Sequence, residues 1–193
     1  MRKMSEVDTI LYFKKKGNVN TDKALKLAYE YSEEYNIPKV IIPSSKGTTA
    51  AKALDIFTDT KKLVIVTHVF GFINPGENEF DQELLELLKK KEIDVLTTTH
   101  ALAGIDRAIR RKHGTWQFAE LVAEVYRTFG QGTKVCAEVV LMAADSGLIP
   151  IDQDVVACGG TGRGIDTVWQ ISPANTFNFL DLRMKKCLCK PLQ

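Results

Sequence analysis

The sequence predicts an α/β fold, a mostly parallel sheet covered by helices on both faces. Three observations carry that prediction. Strand-like and helix-like segments alternate along the 193 residues. The strand segments are near-continuous apolar runs, as expected of strands buried on both sides. Small, hydroxylic, glycine- or histidine-containing segments follow four of the strands, at the sheet edge where open α/β folds bind ligands.

In chain order, residues 7–13 (Val-Asp-Thr-Ile-Leu-Tyr-Phe) read as a short strand or an apolar N-terminal arm, and Lys14 to Asn18 as a turn. Asn20 is placed to cap a helix with Asp22 in its first turn, and Ala24, Leu27, Ala28, Tyr31 and Tyr35 supply its buried stripe. The β-branched run Val40-Ile41-Ile42 is the first core strand. Ala50, Ala53, Leu54 and Phe57 recur at i, i+3, i+4 and i+7, one face of a helix. Leu63 to Val66 is the second core strand and ends in Thr67-His68.

Asn78 is expected to cap a third helix, with Glu79, Asp81 and Glu83 in its first turns and Lys89–Lys91 in its last, matching the macrodipole. Ile93 to Thr98 is the third strand, followed by Thr99-His100. Phe118, Leu121, Val122, Val125 and Phe129 predict a core stripe between an N-cap at Thr115 and a C′ glycine at Gly130. Lys134 to Ser146 is apolar nearly all round, so that helix is expected to be buried, against the sheet or a second subunit. Val155–Cys158 and Asp166–Ile171 are the fourth and fifth strands, and Phe177 to Met184 a final strand or arm with Leu180, Leu182 and Met184 on one side.

The bulk properties narrow the function. The length is that of a single domain over residues 1–193, able to bury a real core. A net charge of +2 gives no basic field for nucleic acid, and no apolar run is long enough for a membrane span. The N-terminus lacks the apolar core of a signal peptide. Cys136, Cys158, Cys187 and Cys189 form no Cys-x-x-Cys pair and have no metal-ligand spacing, so the expectation is a cytoplasmic protein with reduced thiols.

The segment Ser44-Ser45-Lys46-Gly47-Thr48-Thr49, between a buried strand and a helix, has the make-up of a phosphate site. Unpaired amides and the positive end of the helix dipole converge there, with hydroxyls and Lys46 beside them. It is not a Walker loop, and by itself it reads equally as a capped turn. A second glycine-rich run, Gly159-Gly160-Thr161-Gly162-Arg163-Gly164, follows the fourth strand, and its Arg163 is either a phosphate ligand or a surface arginine. Thr67, His68, Thr99 and His100 mark two further strand ends. The histidines read first as ligand hydrogen-bonders. Metal is not expected, because no third ligand is evident on that edge. Phe70, Phe72 and Trp169 are either ring-stacking or core aromatics.

Val40-Ile-Ile-Pro-Ser-Ser-Lys-Gly-Thr-Thr-Ala resembles the first strand and phosphate loop of the pyruvate kinase C-terminal domain, and Gly159 to Asp166 resembles its second effector loop. The runs Phe129-Gly-Gln-Gly-Thr-Lys-Val135, Gly160 to Asp166 and Ser172-Pro-Ala-Asn175 are similar to a stand-alone archaeal and bacterial family built on that domain. The resemblance implies a three-layer α/β/α sandwich of strand order 3-2-1-4-5 with the fifth strand antiparallel. The two loops then face each other across the switch point.

It further implies Ser44 and Thr49 as hydroxyl ligands and the amides of Gly47, Thr48 and Thr49 as the cradle. Lys46 stands where the effector loop has a hydroxyl, and either pairs with phosphate or points to solvent. The catalytic barrel is absent, so pyruvate kinase activity is not expected. The stand-alone family implies a phosphorylated small-molecule ligand, flavin mononucleotide (FMN) first, as cofactor. Two alternatives stay open: a flavin-dependent oxidoreductase using His68 or His100 as proton donor, or a non-catalytic module of a homo-oligomer.

Overall fold

The computed structural model describes residues 9–192, so the first two residues of the strand expected at 7–13 lie outside it. One seven-stranded sheet holds β1 (Leu11–Phe13), β2 (Val40–Pro43), β3 (Leu63–Val66), β4 (Asp94–Leu96), β5 (Val155–Gly159), β6 (Thr167–Ser172) and β7 (Arg183–Pro191). Its order is β1-β7-β6-β5-β2-β3-β4. The five strands read from the sequence therefore stand in the order 3-2-1-4-5, and the fifth, β6, runs antiparallel to β5. This is a mixed α/β architecture, with the strand order and antiparallel fifth strand that the sequence resemblance implied. β7 and β1 extend the sheet beyond β6.

Alternation along the strands divides the core. Val40, Ile42, Leu63 and Ile65 face one layer, packed by α1 (Thr21–Glu34), α2 (Thr48–Ile56) and α3 (Gln82–Lys90). Ile41, Val64, Val155 and Ala157 face the other, packed chiefly by α6 (Gln131–Asp145), with Ala123 of α5 (Phe118–Arg127). The apolar helix expected around 134–146 is thus buried against the sheet. Because β2 pairs in parallel with both β3 and β5, the chain leaves it in opposite directions, and the switch point lies between β2 and β5.

Several boundaries differ from the sequence reading. The N-cap of α3 is Asp81, whose carboxylate accepts the Leu84 amide at 2.8 Å. Asn78 instead donates to the His68 carbonyl at 2.7 Å and accepts from the Phe80 amide at 2.9 Å. Asn20 precedes α1 but its side chain caps nothing there. It donates back to the Lys15 carbonyl at 2.7 Å. Tyr35 lies past the end of α1 and is exposed.

Residues 176–181 form a 3-10 turn rather than a strand, leaving Phe177 and Leu180 exposed, and β7 begins only at Arg183. An additional helix, α4 (Gly104–His113), carries the basic run 110–112 in its last turn, where the helix dipole favours cations.

The largest correction concerns α5. It begins after Gln117, not Thr115, and Gly130 lies beyond its last residue as the N-cap of α6. Most of its apolar stripe does not face the core: Phe118, at 87% exposed, and Leu121, Val125 and Phe129 face outward, while Val122 packs against the core. The helix docks by its other side. Ala123 packs inward, and buried Glu120 accepts from Arg110 at 2.6 and 3.0 Å and from Arg107 at 3.4 Å. Amphipathicity locates an apolar face but not what covers it.

Candidate functional site

The carboxyl ends of β2, β3 and β5, with the N-terminus of α2 and one side of α6, enclose a cleft of about 720 Å³. It is lined from the first loop by Ser44, Ser45, Lys46, Thr48 and Thr49, and from the glycine-rich loop by Gly160, Gly162 and Arg163. Thr67, His68 and His100 line it from the strand ends. The two loops expected to face each other across the switch point do share one cavity. Gly47, Thr99, Gly159 and Thr161 are not among its lining residues; Thr99 belongs to a neighbouring depression with Asp145 and Thr176.

Gly47 is the N-cap of α2 and holds φ at +96°, a left-handed conformation that costs other residues strain. As the first amides of a helix have no intrahelical acceptor, no hydrogen bond among the described residues uses the amides of Gly47, Thr48 or Thr49. The Ser44 hydroxyl caps the helix one turn in, accepting the Ala50 amide at 3.2 Å. That oxygen is therefore partly spent on structure. Lys46 and Arg163 make no ion pair or side-chain hydrogen bond among the described residues, whereas Lys52 pairs with Asp22 at 2.6 Å.

Packing accounts for part of the glycine-rich loop. A Cβ on Gly159 would stand 2.1 Å from the Gly132 carbonyl oxygen, and one on Gly160 would stand 1.9 Å from that of Gly164. These glycines let the loop close against α6 and upon itself. Asp166 fixes the loop's far end from within the core, accepting from Gly17 and Thr167.

The histidine edge is better furnished than the sequence suggested. Two carboxylates reach it from elements distant in sequence. His68 Nδ1 lies 3.2 Å from Glu79 Oε2, and His100 Nδ1 lies 3.9 Å from Glu138 Oε2. No group of three or more metal-ligating side chains forms among the described residues. Phe72 stacks on His68 with ring centroids 3.9 Å apart and lies 5.3 Å from His100. Trp169 is a packing aromatic, its indole N–H donating to Thr133 Oγ1 at 3.1 Å, and Phe70 is exposed. His100 Nε2 is buried with no hydrogen-bond partner among the described residues. Burial lowers the His100 pKa, opposed by Glu138 and reinforced by the nearby positive charges.

Sequence reasoning missed the other wall. Arg107, Arg127, Lys134 and Glu138 also line the cleft, as do Asn18 and Gln131. Lys134 and Glu138 were visible as the polar stripe of an apolar helix, and that stripe was the available signal. Arg107 and Arg127 sit in ordinary basic helix turns and carried none.

No family model matches the sequence. A pyruvate kinase from Cryptosporidium parvum superposes on 77% of this chain with a TM-score of 0.40 and 12% sequence identity. The chain spans 22% of the length of that structure's chain. No helix among the described residues is long and apolar enough to cross a membrane.

Proposed function

We propose that this protein binds a phosphorylated small molecule, FMN first among candidates, with its phosphate between loops 44–49 and 159–166. The observation that carries the reading is the set of amides at 47–49 left unbonded among the described residues, beside a cleft that also holds Lys46 and Arg163, cations without an ion pair among those residues. Amides at a helix N-terminus and flanking cations are the donor set a phosphate dianion requires. The cavity falls within the roughly 300–1,000 Å³ of small-molecule sites. The buried, partnerless His100 Nε2 and the half-exposed Phe72 suit a ligand with a polar-edged ring. FMN would bring a redox-active ring to that edge.

The test is a titration of purified protein with FMN and with riboflavin, followed by flavin fluorescence and thermal unfolding. FMN at 100 times its dissociation constant should stabilise the fold by ~2.7 kcal/mol. Riboflavin, lacking the phosphate, should bind at least about tenfold more weakly. Lys46→Ala with Arg163→Ala should erase that difference. No stabilisation by FMN, or equal binding of the two flavins, defeats the reading.

Two observations favour further roles. The His68–Glu79 pair has the form of an imidazole oriented by a carboxylate, which supports an acid–base role in a flavin-dependent oxidoreductase. Bleaching of bound flavin by reduced nicotinamide, lost in His68→Ala, is the expected outcome. The outward apolar stripe of α5 supports a self-associating protein. A concentration-independent monomer in sedimentation would exclude that role.

A further inference from the structure

The cleft has a second cationic wall, on the sheet face opposite α2. Arg107 of α4, Arg127 at the end of α5 and Lys134 of α6 line it. Lys134 is only 4% exposed and Glu138 only 6%, so both charges of the pair are buried. Replacing a buried ion pair by well-packed apolar residues is often neutral or stabilising, so stability alone does not account for these charges.

Hydrogen bonds within the wall commit some of its groups and leave others free. Both oxygens of Glu138 are taken, one by the Leu102 amide at 3.1 Å and one by Lys134. Among the described residues Lys134 donates once, to that carboxylate, which leaves two N–H groups. Glu120 is held bidentately by Arg110, and Arg107 reaches it only through Nε at 3.4 Å. The terminal nitrogens of Arg107 make no hydrogen bond among the described residues. Arg127 donates from Nε to Gln131 at 2.7 Å and from one terminal nitrogen to Glu124. His100 Nε2 is the partnerless group beside them. The cations are close enough to act on one another: Arg127 and Arg107 both depress the Lys134 ammonium, and Lys134 and Arg107 both depress His100.

We infer that Arg107, Arg127 and Lys134 form a second oxyanion subsite, for a carboxylate or phosphate group, across the cleft from the phosphate loops. The inference rests on the cleft being a ligand site, not on the ligand being a flavin. The oxyanion belongs either to a small acidic co-ligand bound beside the loop-held molecule or to that molecule's own far end.

Calorimetric titration with inorganic phosphate at matched ionic strength tests the subsite. It compares wild type, the loop variant Lys46→Ala/Arg163→Ala and the wall variant Arg107→Gln/Arg127→Gln. Wild type should take up two equivalents. The loop variant should lose one, and the wall variant should weaken the other about tenfold or more. Cooperative unfolding of each variant controls for folding. Repeating the titration with acetate distinguishes a carboxylate site from a phosphate site.

FMN-saturated protein that still takes one phosphate assigns the subsite to a co-ligand. Exclusion of phosphate by FMN, with FMN itself weakened in the wall variant, assigns it to the ligand's far end. A wild type that binds one equivalent or none, or a wall variant that titrates like wild type, overturns the subsite. Two phosphate equivalents with no affinity for FMN would sink the flavin reading and leave the subsite standing.

Discussion

The carboxylate of Asp166 accepts the backbone amide of Gly17 at 2.7 Å, across 149 residues of chain and with no solvent exposure at the acid. Its other oxygen accepts the Thr167 hydroxyl at 2.8 Å, and the neighbouring Ile165 amide donates to Thr21 Oγ1 at 3.0 Å. The turn before α1 and the end of the glycine-rich loop are therefore stitched together. No cation pairs with Asp166 among the described residues, so hydrogen bonds alone satisfy its buried oxygens. Bonds to a charged group contribute about 1.5–3 kcal/mol each. Asp166→Ala is expected to lower stability by ~2–4 kcal/mol in urea unfolding, and Asp166→Asn by less, since one acceptor survives. A loss below about 0.5 kcal/mol would show that the stitch is dispensable.

The cysteines should be inert in the native state. Burial pushes the Cys158 thiol up to about 12 and the Cys187 thiol up to about 11, and it raises Cys136 and Cys189 as well. The thiolate is the reactive form. Aromatic-disulfide titration at about pH 8 should label no cysteine in the folded protein and all four after denaturation. Rapid labelling of Cys187 or Cys189 in native protein would contradict their burial in β7.

How much of this was legible follows from what each signal encodes. The strands β2, β3 and β5 announced themselves as β-branched or apolar runs, and the switch point was expected from the strand order that the resemblance implied. The loop 44–49 was readable because strand, small residues and helix are adjacent in sequence. The carboxylates at the histidine edge were not, because Glu79 and Glu138 reach it from a loop and a helix 11 and 38 positions beyond the residues they face. Arg107 and Arg127 were invisible for the same reason. The stripe of α5 was seen but assigned to the wrong side, since periodicity carries no information about the neighbour. Phe177 to Met184 read as a strand or arm from its start because an aromatic, leucine-containing segment satisfies either period over so short a run.

Acid should destabilise the fold through His100. Its folded pKa is lowered from 6.5, chiefly by burial, so the unfolded chain binds the proton more readily. Stability then falls as pH drops below about 6.5, by at most about 1.4 kcal/mol per pH unit for one proton, until the folded pKa is passed. Denaturant unfolding across that interval should show the slope, and His100→Gln should flatten it. An unchanged slope in the variant would assign the effect to another group.

The Lys134–Glu138 pair predicts an asymmetry between single and double substitutions. Glu138→Gln alone leaves a buried ammonium uncompensated, which typically costs ~3–5 kcal/mol. Lys134→Met combined with Glu138→Gln removes both charges, while the amide oxygen of the substituted side chain still accepts from Leu102. If the charges serve ligand binding rather than folding, that double variant should recover most of the loss and lie within about 1–2 kcal/mol of wild type. Additive losses in a double-mutant cycle would show that the two side chains are not energetically coupled.

The outward stripe of α5 gives the last prediction. Phe118, Leu121 and Val125 recur at i, i+3 and i+7, so they lie along one face of the helix, and Phe129 follows just past its end. In the single chain they are exposed, and a charge placed there meets only water. Val125→Glu should therefore change the unfolding free energy of the monomer by no more than about 0.5 kcal/mol. If the stripe is a contact between copies, the same substitution should shift sedimentation from an oligomer to a monomer, because burying an unpaired carboxylate in an apolar contact is strongly unfavourable. A variant that stays assembled would place the contact elsewhere. A wild type that is already monomeric would leave the stripe without a partner of its own kind.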